Sequence, residues 1–365
     1  MYVPTRRIVY LDSAAMYPVL PEAKVAYWDA LSQSFGNPSS SHYFGVRATE
    51  ALEEARSEIA SCLGAKPEEV FFFSNATEVA ATVIRTCEAQ GIFVVASSVE
   101  HHAVSENIEF GCVGVLNDTT RMEDKTVYCR MLVNNETGEV FPPPKPNRDV
   151  QRIWICDATA AVGHVPICFS ELGCDYLFGD GLKFGGVPGA AFLIAKEDSP
   201  LIPLIQGGGQ ERGVRAGTEN VPAICAMSAA LRYQTDRLEQ SQAYFSMLRD
   251  TLLSELDDSG VSYIVNSPLD RSAPHILNVS FPGVENTALS LYLSSEGVYV
   301  SPGAACSNGL NEPSHVLMSM FGDESRARSA IRISFSHETT VQSIIWAASK
   351  IAESVRTLRG MSAGD

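Results

Sequence analysis

The chain has 365 residues, which is enough for two domains with a substantial buried core. Its formal net charge of −16 argues against direct binding to a nucleic acid, because that binding draws on clustered Lys and Arg side chains. No apolar stretch is long enough to span a membrane, and the N-terminal residues lack the apolar segment of a signal peptide. We therefore expect a soluble, cytoplasmic protein without direct contacts to nucleic acid or membrane. An acidic surface can still attract a basic protein partner.

The first two thirds of the chain alternate between helix and strand patterns. Apolar residues recur at helical spacing in residues 21–35 and 47–64. Several short runs, rich in β-branched and aromatic residues, predict strands: VFFFS, IFVVAS, TVYCRMLV, IWICDA and DYLFG. This alternation predicts an α/β fold with a mostly parallel sheet covered on both faces.

A long helical pattern from about residue 219 to 257 follows, which we interpret as a bridge between two domains. Beyond it the patterns predict a strand, a helix, two strands and a final helix, which together make a smaller α+β unit. We place the large domain at residues 15–240 and the small domain at residues 1–14 and 241–365.

The cysteines indicate neither a metal site nor a disulfide framework. Nine occur, but they form no CxxC pair and no ligand-spaced cluster with the seven histidines. Eight lie in apolar or strand-like surroundings, where a cysteine usually behaves as a small hydrophobic residue. Cys306 differs, because the small and flexible residues of SPGAACSNGL predict a loop around it.

Two residues at strand ends point to chemistry. In DYLFGDGLKFGG, Lys183 follows a strand among glycines that allow a ligand close to the backbone. A lysine amine shielded from water can form a Schiff base, although an exposed loop charge is the alternative. Asp157 ends the strand of ICDATAA, 26 residues earlier. It could cap a helix, or it could pair with the protonated ring nitrogen of pyridoxal phosphate.

Further segments could complete such a site. In FFFSNATE, Thr77 lies at a helix start, where backbone N–H groups favour an anion, but a plain N-cap explains it equally well. GGGQERGVRAGTEN adds glycines, two arginines and Thr218. His101, after the strand IFVVAS, could lie flat on a cofactor ring or be an ordinary surface or core group. Asn135 could bind a cofactor oxygen or simply form a turn.

Taken together, these segments resemble the group I cysteine desulfurases, within the class V aminotransferase-like, fold-type I pyridoxal phosphate enzymes. The motifs follow the family order over nearly the whole chain: YLDSAA, FGNPSSSHYFG, SNATE, VEHHAV, VNNETG, CDATAAVGHVP, DGLKFGG, GGGQERGVRAGTEN, PGAACSNG, EPSHVL and IRISFS. The resemblance implies a large domain with a mostly parallel seven-stranded sheet, a smaller α+β domain with the Cys306 loop, and a homodimer.

The resemblance also implies roles for the matching residues. Lys183 would hold pyridoxal 5'-phosphate covalently, Asp157 would pair with its ring nitrogen, and His101 would stack on the ring and transfer protons. Asn135 would bind near the ring oxygen and the substrate, and Arg332 would clamp the substrate carboxylate. The positions around the phosphate would be Asn75, Ala76, Thr77, Asp180 and, across a dimer interface, Thr218.

Cys306 would be the nucleophile of the reaction that the resemblance implies. L-Cysteine would lose its sulfur to Cys306, which leaves alanine and a persulfide, and the flexible loop would carry that sulfur to an acceptor or scaffold protein. Enzymes of this type serve iron–sulfur cluster assembly, tRNA thiolation and DNA phosphorothioation.

Some positions depart from the family pattern. Leu182 replaces a usual His, Asp180 a phosphate-binding Ser or Thr, Ala160 a Gln and Asn75 a Gly. A carboxylate aimed at a phosphate would be repulsive. Asp180, Leu182 and Ala160 motivate one alternative, a degenerate desulfurase that acts as a scaffold or regulator. A selenocysteine lyase-like enzyme is the other alternative.

Overall fold

The computed structural model describes residues 7–114, 126–142, 153–303 and 312–362. The chain divides into two compact units. The smaller unit consists of Met1–Pro18, Asn134–Val140 and Glu239–Asp365, and the larger unit consists of Val19–Val133 and Phe141–Leu238. Within the described ranges, every helix is too short or too polar to cross a lipid bilayer.

Helices and strands are numbered in chain order. The strands are β1 (Val9–Tyr10), β2 (Val70–Phe73), β3 (Phe93–Ser97), β4 (Gly111–Gly114), β5 (Thr126–Met131), β6 (Ile153–Asp157), β7 (Tyr176–Asp180), β8 (Ala191–Ala195), β9 (Ile264–Val265), β10 (Ile276–Ser280), β11 (Val298–Tyr299) and β12 (Ala330–Ser334). The α-helices are α1 (Pro21–Gln33), α2 (Tyr43–Leu63), α3 (Ala76–Ala89), α4 (His102–Ser105), α5 (Phe169–Leu172), α6 (Val221–Asp236), α7 (Leu238–Ser259), α8 (Asn286–Glu296), α9 (His315–Phe321), α10 (Glu324–Arg328) and α11 (Val341–Ser362). Short 3-10 helices cover Pro67–Glu69, Gly181–Lys183 and Gln210–Gly213.

The larger unit is built on a sheet whose described strands have the order β2-β8-β7-β6-β5-β3-β4. Strand β8 is antiparallel to both of its neighbours, β2 and β7, so those two strands run in the same direction. All other neighbouring strands are parallel. Strands β7 and β8 are buried along their whole length, as expected for central strands covered on both faces. The predicted α/β fold with a mostly parallel seven-stranded sheet is confirmed.

Local sequence explains where the helices beside this sheet begin and end. Helix α3 begins after Asn75, whose side-chain oxygen accepts a hydrogen bond from the N–H of Glu78 at 2.9 Å. Val79, Val83 and Cys87 lie four residues apart on α3, and they are buried with the apolar side chains of the sheet. Helix α2 ends at Gly64, which adopts a left-handed conformation with φ 64°.

The smaller unit contains an antiparallel sheet in the order β12-β10-β9 and a parallel pair formed by β1 and β11. Helices α7, α8 and α11 cover its core with buried side chains, among them Leu248, Leu252, Leu256, Leu289, Leu293, Ile344 and Ile351. The predicted smaller α+β unit is therefore confirmed. The helical pattern from about 219 to 257 comprises two helices, because Arg237 between α6 and α7 has φ −119° and ψ 11°, outside the helical range.

A buried ion pair fastens the glycine-rich segment 207–220 to α2. Glu211 is 5% exposed and Arg56 is 4% exposed. The Glu211 carboxylate accepts hydrogen bonds from Nη1 and Nη2 of Arg56, each at 2.9 Å, and from the N–H of Phe72 at 2.8 Å. Arg56 Nη1 also donates to the carbonyl of Val70 at 2.8 Å. Since Glu211 has φ 47°, which residues other than glycine rarely adopt, these contacts hold an otherwise unfavourable backbone conformation.

We expect Glu211→Ala to lower the free energy of unfolding by about 3 kcal/mol, because it leaves the buried charge of Arg56 without its main partner. The value is at the lower end of the usual range, since the exposed Glu53 carboxylate remains 3.1 Å from Arg56 Nε. Urea unfolding followed by circular dichroism measures the change. The control is Lys66→Ala, which removes an exposed pair with Glu197 and should have a much smaller effect, because solvent screens exposed ion pairs. Equal effects of the two substitutions would contradict the prediction.

Candidate active site

Six strands of the larger unit, β2 to β7, run in the same direction, so their carboxyl ends lie at one edge of the sheet. Asp157 is the last residue of β6 and Asp180 is the last residue of β7, with Lys183 in the turn that follows. Thr77 follows β2 and His101 follows β3. The structure thus places these five predicted residues at the same edge of the sheet.

Lys183 lies on a turn that neighbouring side chains hold in place. The Nε2 atom of His164 donates to the carbonyl oxygen of Lys183 at 3.1 Å, and Nε2 of Gln234 donates to the carbonyl oxygen of Phe184 at 3.0 Å. Burial lowers the pKa of His164 to about 4, so its ring is neutral at pH 7. The sequence analysis did not single out His164. Its one signal there is a polar ring in the apolar turn AVGHVP.

Asp157 is a buried carboxyl group close to the charge of Lys183. Its Oδ1 accepts a hydrogen bond from the N–H of Thr159 at 2.8 Å. Burial raises the pKa of Asp157, whereas hydrogen bonding by Thr159 and the charge of Lys183 lower it. A buried carboxylate is stabilised by a nearby positive charge. Asp157 is therefore suited to hold a protonated ring nitrogen.

His101 is oriented by the start of α4. Its Nδ1 accepts a hydrogen bond from the N–H of Ala103 at 3.0 Å. Since an accepting nitrogen carries no hydrogen, proton exchange at this ring has to take place at Nε2.

Glu100, immediately before His101, is a buried carboxyl group that the sequence analysis missed. It accepts hydrogen bonds from the hydroxyl of Ser97 and, at 2.9 Å, from the N–H of Met131, and so joins the ends of β3 and β5. Burial raises the pKa of Glu100 to about 8, against the lowering effect of these hydrogen bonds, and the charge of Asp157 adds to the increase. Glu100 is thus mostly protonated at neutral pH. Its one signal in the sequence is a carboxyl group just after an apolar strand.

We expect Glu100→Gln to become more stable relative to the unsubstituted protein as the pH rises from about 5 to 8. The pKa of Glu100 is about 8 in the folded state and about 4.3 in the unfolded state, so the folded state binds the proton more tightly. The acid's contribution to stability is complete below about pH 4.3 and is lost as the pH approaches 8. Glutamine does not titrate, and it keeps an oxygen acceptor for Met131.

Urea unfolding at several pH values measures this difference, which should reach a few kcal/mol at about 1.4 kcal/mol per pKa unit. Glu68→Gln makes the same substitution at an exposed carboxyl group and is the control with which the pH dependence of Glu100→Gln is compared. A difference for Glu100→Gln that stays constant between pH 5 and 8 would mean that Glu100 is ionised in the folded protein.

The predicted phosphate-binding residues lie around the first turn of α3. The N–H of Ala76 donates to Oδ2 of Asp180 at 2.9 Å, and the N–H of Glu78 donates to the side chain of Asn75. Thr77 is exposed. The sequence predicts that this helix N-terminus binds an anion. In the structure, the side chains of Asp180 and Asn75 accept hydrogen bonds from its N–H groups.

The glycine-rich segment 207–220 meets α3 through an ion pair. Nε of Arg215 lies 3.0 Å from Oε1 of Glu78, and Oε2 of Glu78 accepts a hydrogen bond from the N–H of Ser74 at 2.9 Å. Burial alone would raise the pKa of Glu78, but the hydrogen bonds from Arg215 and Ser74 outweigh it and lower the pKa. Thr218 of the same segment is exposed.

The predicted substrate-binding residues lie in the smaller unit. Arg332, in β12, donates from Nη1 to the carbonyl oxygen of Asn135 at 2.8 Å, and its Nη2 lies 2.9 Å from Oδ1 of Asp12. Within the described part of the chain, Nε of Arg332 and Oδ1 of Asn135 are buried and have no hydrogen-bond partner. Buried polar atoms are normally paired, so this donor and this acceptor fit a polar ligand such as an amino acid.

Cys306 lies outside the described residues, but the segments on both sides of it are anchored in the smaller unit. Before it, Ser301 and Arg332 exchange backbone hydrogen bonds of 3.1 and 2.8 Å. After it, the hydroxyl of Ser314 donates to the buried carboxylate of Glu136 at 2.5 Å. Glu136 was missed by the sequence analysis, since its partner lies 178 residues away.

The sequence and the fold of this chain were compared with those of known proteins, and both match one family. The profile of the family described as aminotransferase class-V matches residues 9–112 and 113–345. A relative from Bacillus subtilis (strain 168), "Putative cysteine desulfurase IscS 1", is 35% identical, and the match covers 96% of this chain and 99% of the relative. A solved structure described as "NIFS-LIKE PROTEIN" is 30% identical, with a TM-score of 0.87, and the match covers 95% of this chain and 99% of that one. Another, "SspA in complex with cysteine", is 27% identical, with a TM-score of 0.74 and coverage of 91% and 99%. The chain therefore belongs to the aminotransferase class-V family, in its cysteine desulfurase branch.

Proposed function

We propose that the protein is a pyridoxal phosphate-dependent cysteine desulfurase that converts L-cysteine to L-alanine and collects the sulfur as a persulfide on Cys306. One observation carries the cofactor assignment. Lys183 sits on a fixed turn after β7, and Asp157 lies buried at the end of the neighbouring strand β6, where its pKa responds to the charge of Lys183. An amine for the aldehyde and a carboxylate for the ring nitrogen are the two groups that this cofactor requires.

The bound cofactor would supply an electron sink for the substrate. Lys183 would hold it covalently, and Asp157 would keep a proton at its ring nitrogen. His101 would lie against the ring and move protons at Nε2, since its Nδ1 is occupied by Ala103. In the smaller unit, Nε of Arg332 and Oδ1 of Asn135 are the atoms that would orient the substrate.

Cys306 would act as the nucleophile in the sulfur-transfer step. Its thiolate attacks the sulfur of the substrate cysteine, an S–S bond forms, and the Cβ–S bond of the substrate breaks. The electron pair of the broken bond returns to the substrate carbon, where a proton completes the methyl group of alanine. L-Cysteine and a thiol thus become alanine and a persulfide, with no external oxidant. A sulfur-acceptor or scaffold protein then takes the sulfur, and the net charge of −16 favours a basic one.

Two substitutions separate cofactor attachment from sulfur transfer. Lys183→Ala should abolish the near-visible absorbance of the bound cofactor and all sulfide release from L-cysteine in the presence of a thiol. Cys306→Ala should keep the absorbance and lose at least about 99% of the sulfide release, because removing a catalytic nucleophile lowers the rate by two orders of magnitude or more.

Matched controls exist for both residues. Lys196→Ala and Cys112→Ala change an exposed lysine and an exposed cysteine, and both variants should keep the absorbance and the activity. Full sulfide release by Cys306→Ala would refute the persulfide on Cys306. A protein that takes up no cofactor at all would be better explained as a scaffold.

We also propose that the protein is a homodimer, with an interface that includes α1 and the segment after it. Val25 and Trp28 lie on one face of α1, Phe35 follows the end of that helix, and all three side chains are exposed, Trp28 to 70%. The ring of Phe35 lies 4.9 Å from that of Phe44, which extends the apolar surface to α2. Exposed apolar surface of this extent is typical of an interface between subunits. The exposed Thr218 would then be available to the phosphate site of a second copy.

Trp28→Glu should shift the protein from dimer to monomer in sedimentation velocity experiments at micromolar concentration, because it buries a charge at the centre of this surface. Leu291→Glu changes an equally exposed apolar side chain on α8 and should leave the dimer intact. A monomeric unsubstituted protein would disprove the proposed interface.

A further inference from the structure

Two of the backbone donors at the start of α3, those of Ala76 and Glu78, already have side-chain acceptors within the chain. The first four N–H groups of a helix have no partner inside the helix and attract anions. Here the N–H of Ala76 donates to Asp180, and the N–H of Glu78 donates to the side chain of Asn75. An incoming phosphate would therefore compete for the donors that it needs.

Asp180 is a buried carboxyl group that points at this helix end. It is 4% exposed, and it accepts hydrogen bonds from the N–H of Ala76 at 2.9 Å and the N–H of Leu182 at 3.2 Å. Burial raises the pKa of Asp180, while both hydrogen bonds and the charge of Lys183 lower it and the charge of Asp157 raises it further. The Asp180 carboxylate thus accepts hydrogen bonds from backbone N–H groups, as a phosphate oxygen bound at this helix N-terminus would.

The positive charge on this helix end is already balanced. Arg215 is paired with Glu78 at 3.0 Å, and Glu78 is further held by Ser74. A phosphate carries close to two negative charges at neutral pH. Because Arg215 is already paired with Glu78, it would not compensate the negative charge that a phosphate brings close to Asp180. Like charges in a partly buried site repel each other strongly.

We propose that Asp180 takes the place of a phosphate oxygen at the N-terminus of α3, so that this chain binds pyridoxal phosphate hardly better than pyridoxal without its phosphate. This inference rests on the proposed function, since it concerns the same cofactor site. Lys183 and Asp157 bind the aldehyde and the ring, which the two compounds share. Only the contribution of the phosphate is lost.

Binding titrations of the cofactor-free protein test the proposal. Pyridoxal phosphate and pyridoxal are titrated separately, and the absorbance of the lysine-bound compound gives each Kd. We expect the two Kd values of the unsubstituted protein to lie within tenfold of each other. Asp180→Ser, which exchanges the charge for a hydroxyl donor, should tighten the binding of pyridoxal phosphate at least tenfold and leave the Kd of pyridoxal within twofold.

Asp180→Asn keeps the shape and one acceptor oxygen but removes the charge. It should change the ratio of the two Kd values in the same direction as Asp180→Ser, and it decides the question if the serine variant does not fold. The matched control is Asp175→Asn. Asp175 accepts a hydrogen bond from the N–H of Trp154 at 2.9 Å and lies just before β7, at the opposite edge of the sheet. Its substitution should leave the ratio unchanged.

Two outcomes would overturn the inference, and they are distinguishable. If the unsubstituted protein prefers pyridoxal phosphate by more than a hundredfold and neither Asp180 variant binds it more tightly, Asp180 does not oppose the phosphate, while the proposed function stands. If neither compound binds covalently to the unsubstituted protein or to any Asp180 variant, the proposed function itself fails.

Discussion

The backbone hydrogen bonds between parallel strands determine which side chains lie together at the edge of the larger unit's sheet where the carboxyl ends of these strands meet. Because β6 and β7 are parallel neighbours with Asp157 opposite Phe178, Asp180 lies two residues further along β7 at the same edge of the sheet, and the turn after β7 brings Lys183 there too. β8 reverses direction, so β2 runs parallel to β7 again, and the start of α3 reaches Asp180 across that one strand. A strand slipped by one residue would turn these side chains to the other face.

Three buried carboxyl groups lie at this edge, those of Glu100, Asp157 and Asp180, and each is stabilised in a different way. Burial raises the pKa of Glu100, Asp157 and Asp180 alike. Glu100 keeps its proton at neutral pH. Asp180 accepts hydrogen bonds from two backbone N–H groups, and Asp157 lies close to the positive charge of Lys183. A site with this distribution favours a ligand that brings positive charge to Asp157, as a protonated ring nitrogen does, and disfavours one that brings negative charge to Asp180.

Residues with strong local patterns could be predicted from the sequence, and residues that depend on distant partners could not. The apolar runs that became β6 and β7 predict strands by themselves, and Asp157 and Lys183 stand at their ends. In contrast, the structural role of Glu211 depends on its ion pair with Arg56, which is 155 residues away in sequence. No residue near Glu211 in the sequence indicates that partner. Glu100 and His164 have unusual pKa values only because the folded chain buries them, and burial depends on every element packed around them.

The segment Asn134–Val140 belongs to the smaller unit, although the residues on both sides of it belong to the larger unit. The chain leaves the larger unit after Val133, supplies these residues to the smaller unit, and returns at Phe141. Within the smaller unit the segment gives a carbonyl oxygen to Arg332 and a carboxylate to Ser314, so it fixes the strand that carries the arginine and the segment that follows Cys306. Backbone hydrogen bonds between Val140 and Arg271 and between Gly138 and Ala273 hold the segment in turn. The orientation of Arg332 therefore depends on a segment far away in sequence, and no local motif around the arginine could encode it.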